Sequence, residues 1–210
     1  MSQPRRYLLT GASSGIGEAL AHQLASRGYD LVLASRRVDN LKALAAELSS
    51  KHGRTVVALP LDVTDYAAAQ AIVGQAAEAL GGLDGVIANS GIAMSSKVGK
   101  GHFDDDKRII ETNLTGAIAT LDAATALFRQ QGHGHLVALA SVAGKVGLPA
   151  NAGYSASKFG LIGYVRTLQA ELAGKPIHAT LLLPGFIDTP INRSMQKRPF
   201  VIDVEKGAAL

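Results

Sequence analysis

Cysteine is absent from all 210 residues, which excludes disulfides and thiolate metal sites and suits a reducing cytoplasm. Aromatic residues make up only 5% of the chain, and Lys and Arg are scattered among acids. The net charge of +4 therefore forms no basic stripe with interleaved aromatics, and no nucleic-acid partner is expected. Long apolar runs are missing too: no segment approaches the roughly 18 to 20 apolar residues that span a bilayer. Behind the charged start, the run Tyr7, Leu8, Leu9 is broken at once by Thr10 and Gly11, too short for a signal peptide. A soluble, cytoplasmic chain without a membrane partner is the expectation. What is present is 47% hydrophobic content with no low-complexity tract, enough for a single domain with a proper core.

Strand-like and helix-like patterns alternate along the chain. Apolar runs at Tyr7 to Leu9, Asp30 to Ala34, Thr55 to Leu59, Gly85 to Ala88, Leu136 to Ala140 and Ile177 to Leu183 predict buried strands. Helical spacing is expected over Gly17 to Arg27, Val38 to His52, Tyr66 to Leu80, Glu111 to Gln130 and Ala152 to Ala173. Near-continuous apolar strands separated by helices predict a doubly wound parallel sheet, a three-layer Rossmann-like α/β/α fold. Such sheets bind ligands beyond the carboxyl ends of their strands. Gly11, Ser35, Asp62, Asn89, Ser141 and Pro184 each follow a predicted strand.

Two motifs carry chemistry. Thr10-Gly11-Ala12-Ser13-Ser14-Gly15-Ile16-Gly17 places glycines between the first strand and the first helix, in the order G-x-x-x-G-x-G rather than G-x-G-x-x-G. Glycines let backbone approach a ligand, and a helix N-terminus offers N–H groups to a pyrophosphate. The second motif sets Ser141 thirteen positions before Tyr154, with Lys158 four positions after it. Positions four apart share a helix face, so Tyr154 and Lys158 can act on one bound molecule. A cation beside the phenol would favour the phenolate, drawing its pKa down toward a useful range.

With these motifs in register, the chain resembles a short-chain dehydrogenase/reductase over almost its full length. The cofactor turn, Asp62-Val63, Ala88-Asn89-Ser90-Gly91, Asn113-Leu114-Thr115-Gly116, Ser141, Tyr154 with Lys158, and Pro184-Gly185-Phe186-Ile187-Asp188-Thr189 follow in the family's order. One departure is Ala88, where the family usually has a first Asn; Asn89 and Gly91 are kept. The resemblance implies hydride transfer between nicotinamide and a carbon bearing oxygen. Tyr154 would donate or accept the proton, Ser141 would orient the substrate oxygen, Lys158 would bond the nicotinamide ribose, and Asn113 would hold a water of a proton relay behind Lys158. Gly11, Ser13, Ser14, Gly15, Ile16, Gly17, Ser35, Asp62, Val63, Asn89, Gly91, Pro184, Gly185, Ile187 and Thr189 are the implied cofactor contacts.

Ser35, Arg36 and Arg37 stand at the end of the second strand, where an acid would hold the ribose 2′-OH of NAD. Cations there predict NADP(H), with Asp39 the dissenting charge. Ile92, Met94, Val142, Val146, Leu148, Phe186 and Ile187 are expected to line an apolar pocket for a small carbonyl or alcohol. Asp188 to Pro199 resembles the family's substrate lid, with Arg193, Lys197 and Arg198 available to an anionic group. By resemblance, the helices Glu111 to Gln130 and Ala152 to Ala173 would pair with their copies, giving a homodimer or homotetramer. Asp203 to Leu210 begins another helix, and the family's last strand is expected to be missing. His133 and His135 have no third ligand in view, and Asp104-Asp105-Asp106 reads as the acidic start of a helix rather than a cation site. The rival function is an NADP(H)-binding module without turnover, which would have no chemical need for Asn113, Ser141, Tyr154 and Lys158 together.

Overall fold

Six strands form one parallel sheet in the order β3-β2-β1-β4-β5-β6. The structure is a computed structural model, and it describes residues 5–191 and 200–209. The strands are β1 (Arg6–Thr10), β2 (Asp30–Ser35), β3 (Val56–Pro60), β4 (Gly85–Ala88), β5 (Gly134–Leu139) and β6 (Ile177–Leu182). Between them run α1 (Gly15–Ser26), α2 (Val38–His52), α3 (Tyr66–Leu80), α4 (Phe103–Ile110), α5 (Gly116–Gln131) and α6 (Ala152–Glu171), and α7 (Val204–Ala209) closes the described chain. The predicted doubly wound α/β fold is thus observed, in a single domain. The strand order reverses between β1 and β4, which makes their carboxyl ends the switch point at which such sheets bind ligands.

Alternation along each strand sorts side chains to two faces. Leu8, Val32, Val86 and Leu136 pack against α3, α5 and α6 through Ile72, Leu121, Phe128 and Val165. Leu9, Leu31, Leu33, Ile87 and Val137 pack against α1 and α2 through Ala21, Ala25, Leu41 and Leu48. Every residue of β2 and β4 is buried, the mark of strands covered on both sides.

One difference from the sequence expectation bears on the site. The helix expected from Glu111 begins earlier, as α4, and passes through a π-helical turn at Glu111–Thr115 before α5 starts. Asp104, Asp105 and Asp106 lie in the first turn of α4, where acids complement the helix dipole. His133 and His135 point to different partners: His133 Nε2 lies 3.7 Å from Asp84, whereas His135 bonds the Tyr7 hydroxyl and Thr180 Oγ1.

Candidate active site

β1 ends at Thr10, and the chain turns at Gly11 with φ +67°. A Cβ there would also meet Ser90 Cα at 2.8 Å, so the turn requires glycine on both counts. A Cβ on Gly17 would lie 2.3 Å from the Gly11 carbonyl oxygen, which lets α1 start directly against the turn. The side chain of Asn89, at the end of β4, donates to the carbonyls of Thr10 (2.9 Å) and Gly11 (3.2 Å). Thr10 Oγ1 in return accepts the N–H groups of Asn89 and Ser90. The Asn retained in Ala88-Asn89-Ser90-Gly91 therefore braces the glycine turn. Ser14, the N-cap of α1, makes no side-chain cap bond to the first-turn N–H groups. Those groups and the glycine backbone face a cleft of about 530 Å³.

The same cleft runs to the chemical residues. Ser141 follows β5 and caps a short 3₁₀ turn, its Oγ accepting the Ala143 N–H at 3.2 Å. Its own hydrogen is weakly engaged, with the Pro184 carbonyl 3.5 Å away, and its hydroxyl lies close enough to the Tyr154 phenol to favour the phenolate. Tyr154 and Lys158 project from the first turns of α6. Lys158 is 5% exposed; its Nζ donates to the Leu139 carbonyl at 2.8 Å and lies 5.7 Å from the centroid of the Tyr154 ring. The ammonium thus lies over the ring, within cation–π range. Burial pushes the Tyr154 phenol above its ordinary value, with the Ser141 bond opposing, and lowers the Lys158 ammonium to about 8. The expectation that Lys158 draws the phenol down is corrected here: desolvation of the phenolate is the larger effect.

At the other end of the cleft, Arg37 leaves the end of β2 and reaches back over the glycine turn, its Nε donating to Ser13 Oγ at 3.1 Å and its guanidinium also bonding Ser14 Oγ. Ser35 Oγ accepts the Arg37 N–H at 3.2 Å. Arg36 is largely exposed, 4.0 Å from Asp62, whose carboxylate accepts the Thr64 N–H and hydroxyl and is held below its usual range by those bonds against burial. A dinucleotide fits these residues: bare glycine backbone and an uncapped helix N-terminus suit a pyrophosphate, guanidinium groups flank one end, and a phenol, a hydroxyl and an ammonium stand at the other.

Every predicted cofactor contact lines this cleft, from Gly11, Ser13, Ser14, Gly15, Ile16 and Gly17 through Ser35, Arg36, Arg37, Asp62, Val63, Asn89 and Gly91 to Pro184, Gly185, Ile187 and Thr189, together with Ser141, Tyr154 and Lys158. Asn113 stands behind the wall, 1% exposed: its Oδ1 accepts the Ile92 N–H and its Nδ2 donates to the Ile92 carbonyl, each at 2.8 Å, with Ser157 Oγ at 3.4 Å. Of the expected apolar pocket, Ile92 and Ile187 line the cleft. Val142 and Val146 are instead exposed, and Met94, Leu148 and Phe186 are half-buried outside its lining. Arg193, Lys197 and Arg198 lie outside the described residues.

The family model for short chain dehydrogenases matches residues 5–199. The chain is a short-chain dehydrogenase/reductase. It is 38% identical to an uncharacterized oxidoreductase of Mycobacterium tuberculosis over 97% of this chain and 81% of that protein. It is also 38% identical to the 2-dehydro-3-deoxy-L-rhamnonate dehydrogenase (NAD(+)) of a Sphingomonas strain, over 89% of this chain and 74% of that one. Among solved structures, an alcohol dehydrogenase from Thermococcus sibiricus complexed with 5-hydroxy-NADP superposes with a TM-score of 0.90 at 30% identity, covering 99% of this chain and 88% of that one. A short-chain dehydrogenase/reductase from Burkholderia phymatum in complex with NAD gives 0.85 at 29% identity, over 94% and 71%. As a member of this family the chain is an oxidoreductase acting on alcohol or carbonyl groups with a nicotinamide cofactor.

Three features of this short-chain dehydrogenase/reductase had no sequence signal strong enough to find them. The Leu139 carbonyl that holds Lys158 and the Ile92 backbone that holds Asn113 are main-chain groups, which any residue could supply. Thr10 Oγ1 is a side-chain contact, and a threonine closing a strand could have been tested as a brace for the neighbouring loop.

Proposed function

We propose that this oxidoreductase uses NADP(H) and reduces a small, mostly apolar carbonyl compound, the reverse oxidation being available at higher pH. The observation that carries the reading is the convergence of Ser141, Tyr154 and Lys158 at one end of a cleft whose other end holds Arg36 and Arg37. No carboxylate stands at the end of β2 to repel a 2′-phosphate, and Arg37 already spans the glycine turn. When bound, the nicotinamide supplies the hydride. A phenol held above its ordinary pKa is protonated at neutral pH, so Tyr154 is a proton donor to the carbonyl oxygen. The Ser141 hydroxyl, with its nitrogen partner fixed and its hydrogen weakly engaged, turns to the same oxygen and stabilises the charge developing there. Lys158 stabilises the phenolate left behind, an attraction strengthened by its burial. Asn113 holds the Ile92 strand-end loop against α6 and, in this reading, stands at the head of the proton relay behind Lys158. The enzyme works in the cytoplasm as a homodimer or homotetramer; among the described residues no helix is long and apolar enough to cross a membrane.

The test is a panel of carbonyl compounds with NADPH and NADH, run on wild type, Tyr154→Phe and Arg36→Asp. Turnover is expected to fall at least about 100-fold in Tyr154→Phe, the size of a lost general acid. Arg36→Asp is expected to shift the cofactor preference toward NADH by about tenfold or more. Unchanged turnover in Tyr154→Phe overturns the mechanism, and an unchanged preference in Arg36→Asp overturns the NADP(H) assignment to that residue. Cofactor binding without turnover on any compound would favour a binding module instead.

A further inference from the structure

The start of α6 decides where the Tyr154 phenol lies, since Tyr154 is the third residue of that helix. The chain enters α6 through Ala150 at φ +59°, left-handed backbone that a residue with a Cβ rarely adopts. Such a conformation persists where its surroundings over-determine it. Asn151, the N-cap, makes no side-chain cap bond. The cap comes from another helix: Asp106 Oδ1, on α4, accepts the Gly153 N–H at 2.8 Å. The approach is so close that a Cβ on Gly153 would lie 2.4 Å from that oxygen and 2.7 Å from Asp106 Cα. Two further ties hold the same turn, the Ser96 N–H to the Ala150 carbonyl at 2.9 Å and the Leu148 N–H to Ser155 Oγ at 3.2 Å.

We propose that Asp106 is a positioning residue for the catalytic tyrosine, setting the placement of Tyr154 against Ser141 by capping α6 from α4. The inference rests on the reading of Tyr154 as the proton donor. The bonded N–H belongs to the residue immediately before Tyr154, so slack in that bond passes directly to the tyrosine backbone. A reacting group displaced by about 1 Å can lose about 100-fold in rate. An acceptor oxygen is all that positioning demands; a negative charge at the helix N-terminus would add only a general preference. Asparagine keeps the acceptor and drops the charge, which separates the two.

The experiment compares Asp106→Ala, Asp106→Asn, Gly153→Ala and Tyr154→Phe with wild type. It reads kcat and KM on a carbonyl substrate found by the panel, and the ionisation of Tyr154 by tyrosinate absorbance, taken as the difference from Tyr154→Phe. In Asp106→Ala, kcat is expected to fall about 10- to 100-fold with KM for NADPH within about twofold. The Tyr154 titration should move to higher pH as the bond from Ser141, which opposes burial, is lost. Asp106→Asn should restore both readouts. Gly153→Ala, which forces α4 off α6 while leaving Asp106 intact, should reproduce the loss. An Asp106→Ala protein that melts earlier yet keeps kcat and the Tyr154 titration overturns the proposal, as does failure of Asp106→Asn to rescue. Full turnover in Tyr154→Phe would instead overturn the proton-donor reading, and the titration of Tyr154 in Asp106→Ala would still report whether the cap positions it.

Discussion

Burial of the Lys158 ammonium works against stability, because one bond to the Leu139 carbonyl replaces the water that an exposed lysine would have. The depression from 10.5 to about 8 corresponds to a penalty on the order of 3 kcal/mol. Unfolded, the side chain keeps its proton to higher pH than folded, so between those two values the unfolded chain binds more protons and stability rises with pH. The penalty is complete below about pH 8 and is relieved as pH climbs toward the unfolded value. Lys158→Met removes it, while leaving the Leu139 carbonyl without its donor at a cost of about 1–3 kcal/mol. The variant is therefore expected to lose turnover yet gain roughly 1 kcal/mol of stability at pH 7. That gain should shrink and reverse above about pH 8. Denaturant titrations of both proteins across pH check this, and a difference that stays flat with pH would rule it out.

The elements divide into those set by packing and those set by single close approaches. Gly17 belongs to the second kind, since its missing Cβ is what allows α1 to begin against the Gly11 carbonyl and Asn89. Gly74, in the exposed middle of α3, has nothing within 4 Å of where a Cβ would be. Gly17→Ala is expected to destabilise the fold by about 1–3 kcal/mol and to weaken NADPH binding, whereas Gly74→Ala should stabilise it by about 0.5–1 kcal/mol. Thermal melts with and without NADPH distinguish the two, and similar behaviour would show that α1 can shift to make room. Strands were legible in the sequence for the same reason that β2 is buried throughout: residues covered on both faces leave a run of apolar letters. α4 was legible only at its acidic start, Asp104 to Asp106; its extent was not, because Ile109 alone of its residues is buried while Phe103 is 76% exposed, so no helical stripe repeats. Its junction with α5 is a π-helical turn, which shifts the apolar phase and hides where one helix becomes the other. The cleft residues were legible because glycine, serine, tyrosine and lysine had to be those types. The direction of the Tyr154 shift was not, since it depends on burial, which spacing does not encode.

The proposed homodimer would form through the face that α5 and α6 turn away from the sheet. Ala156, Phe159, Gly163 and Ala170 lie exposed along α6 at helical spacing, Ala126 is exposed on α5, and Phe159 is 47% exposed. An ion pair between Arg129 and Glu171 at 3.2 Å joins the far ends of the two helices. Small residues let two helices approach closely, and an aromatic side chain among them supplies the apolar area of an anchor. The homodimer reading makes opposite demands on Gly163 in one chain and in two. Within one chain a Cβ there meets nothing within 4 Å, so Gly163→Ala in a monomer should stabilise α6 by up to about 1 kcal/mol. Across a helix-to-helix contact the same methyl would push the copies apart. A dimer is therefore expected to be weakened by Gly163→Ala and dissociated by Phe159→Glu, and its melting temperature should depend on concentration in the wild type but not in Phe159→Glu. Sedimentation at several concentrations reads all three proteins. A wild type that sediments as a monomer, or a Gly163→Ala protein that associates as wild type does, would show that copies do not meet through this face.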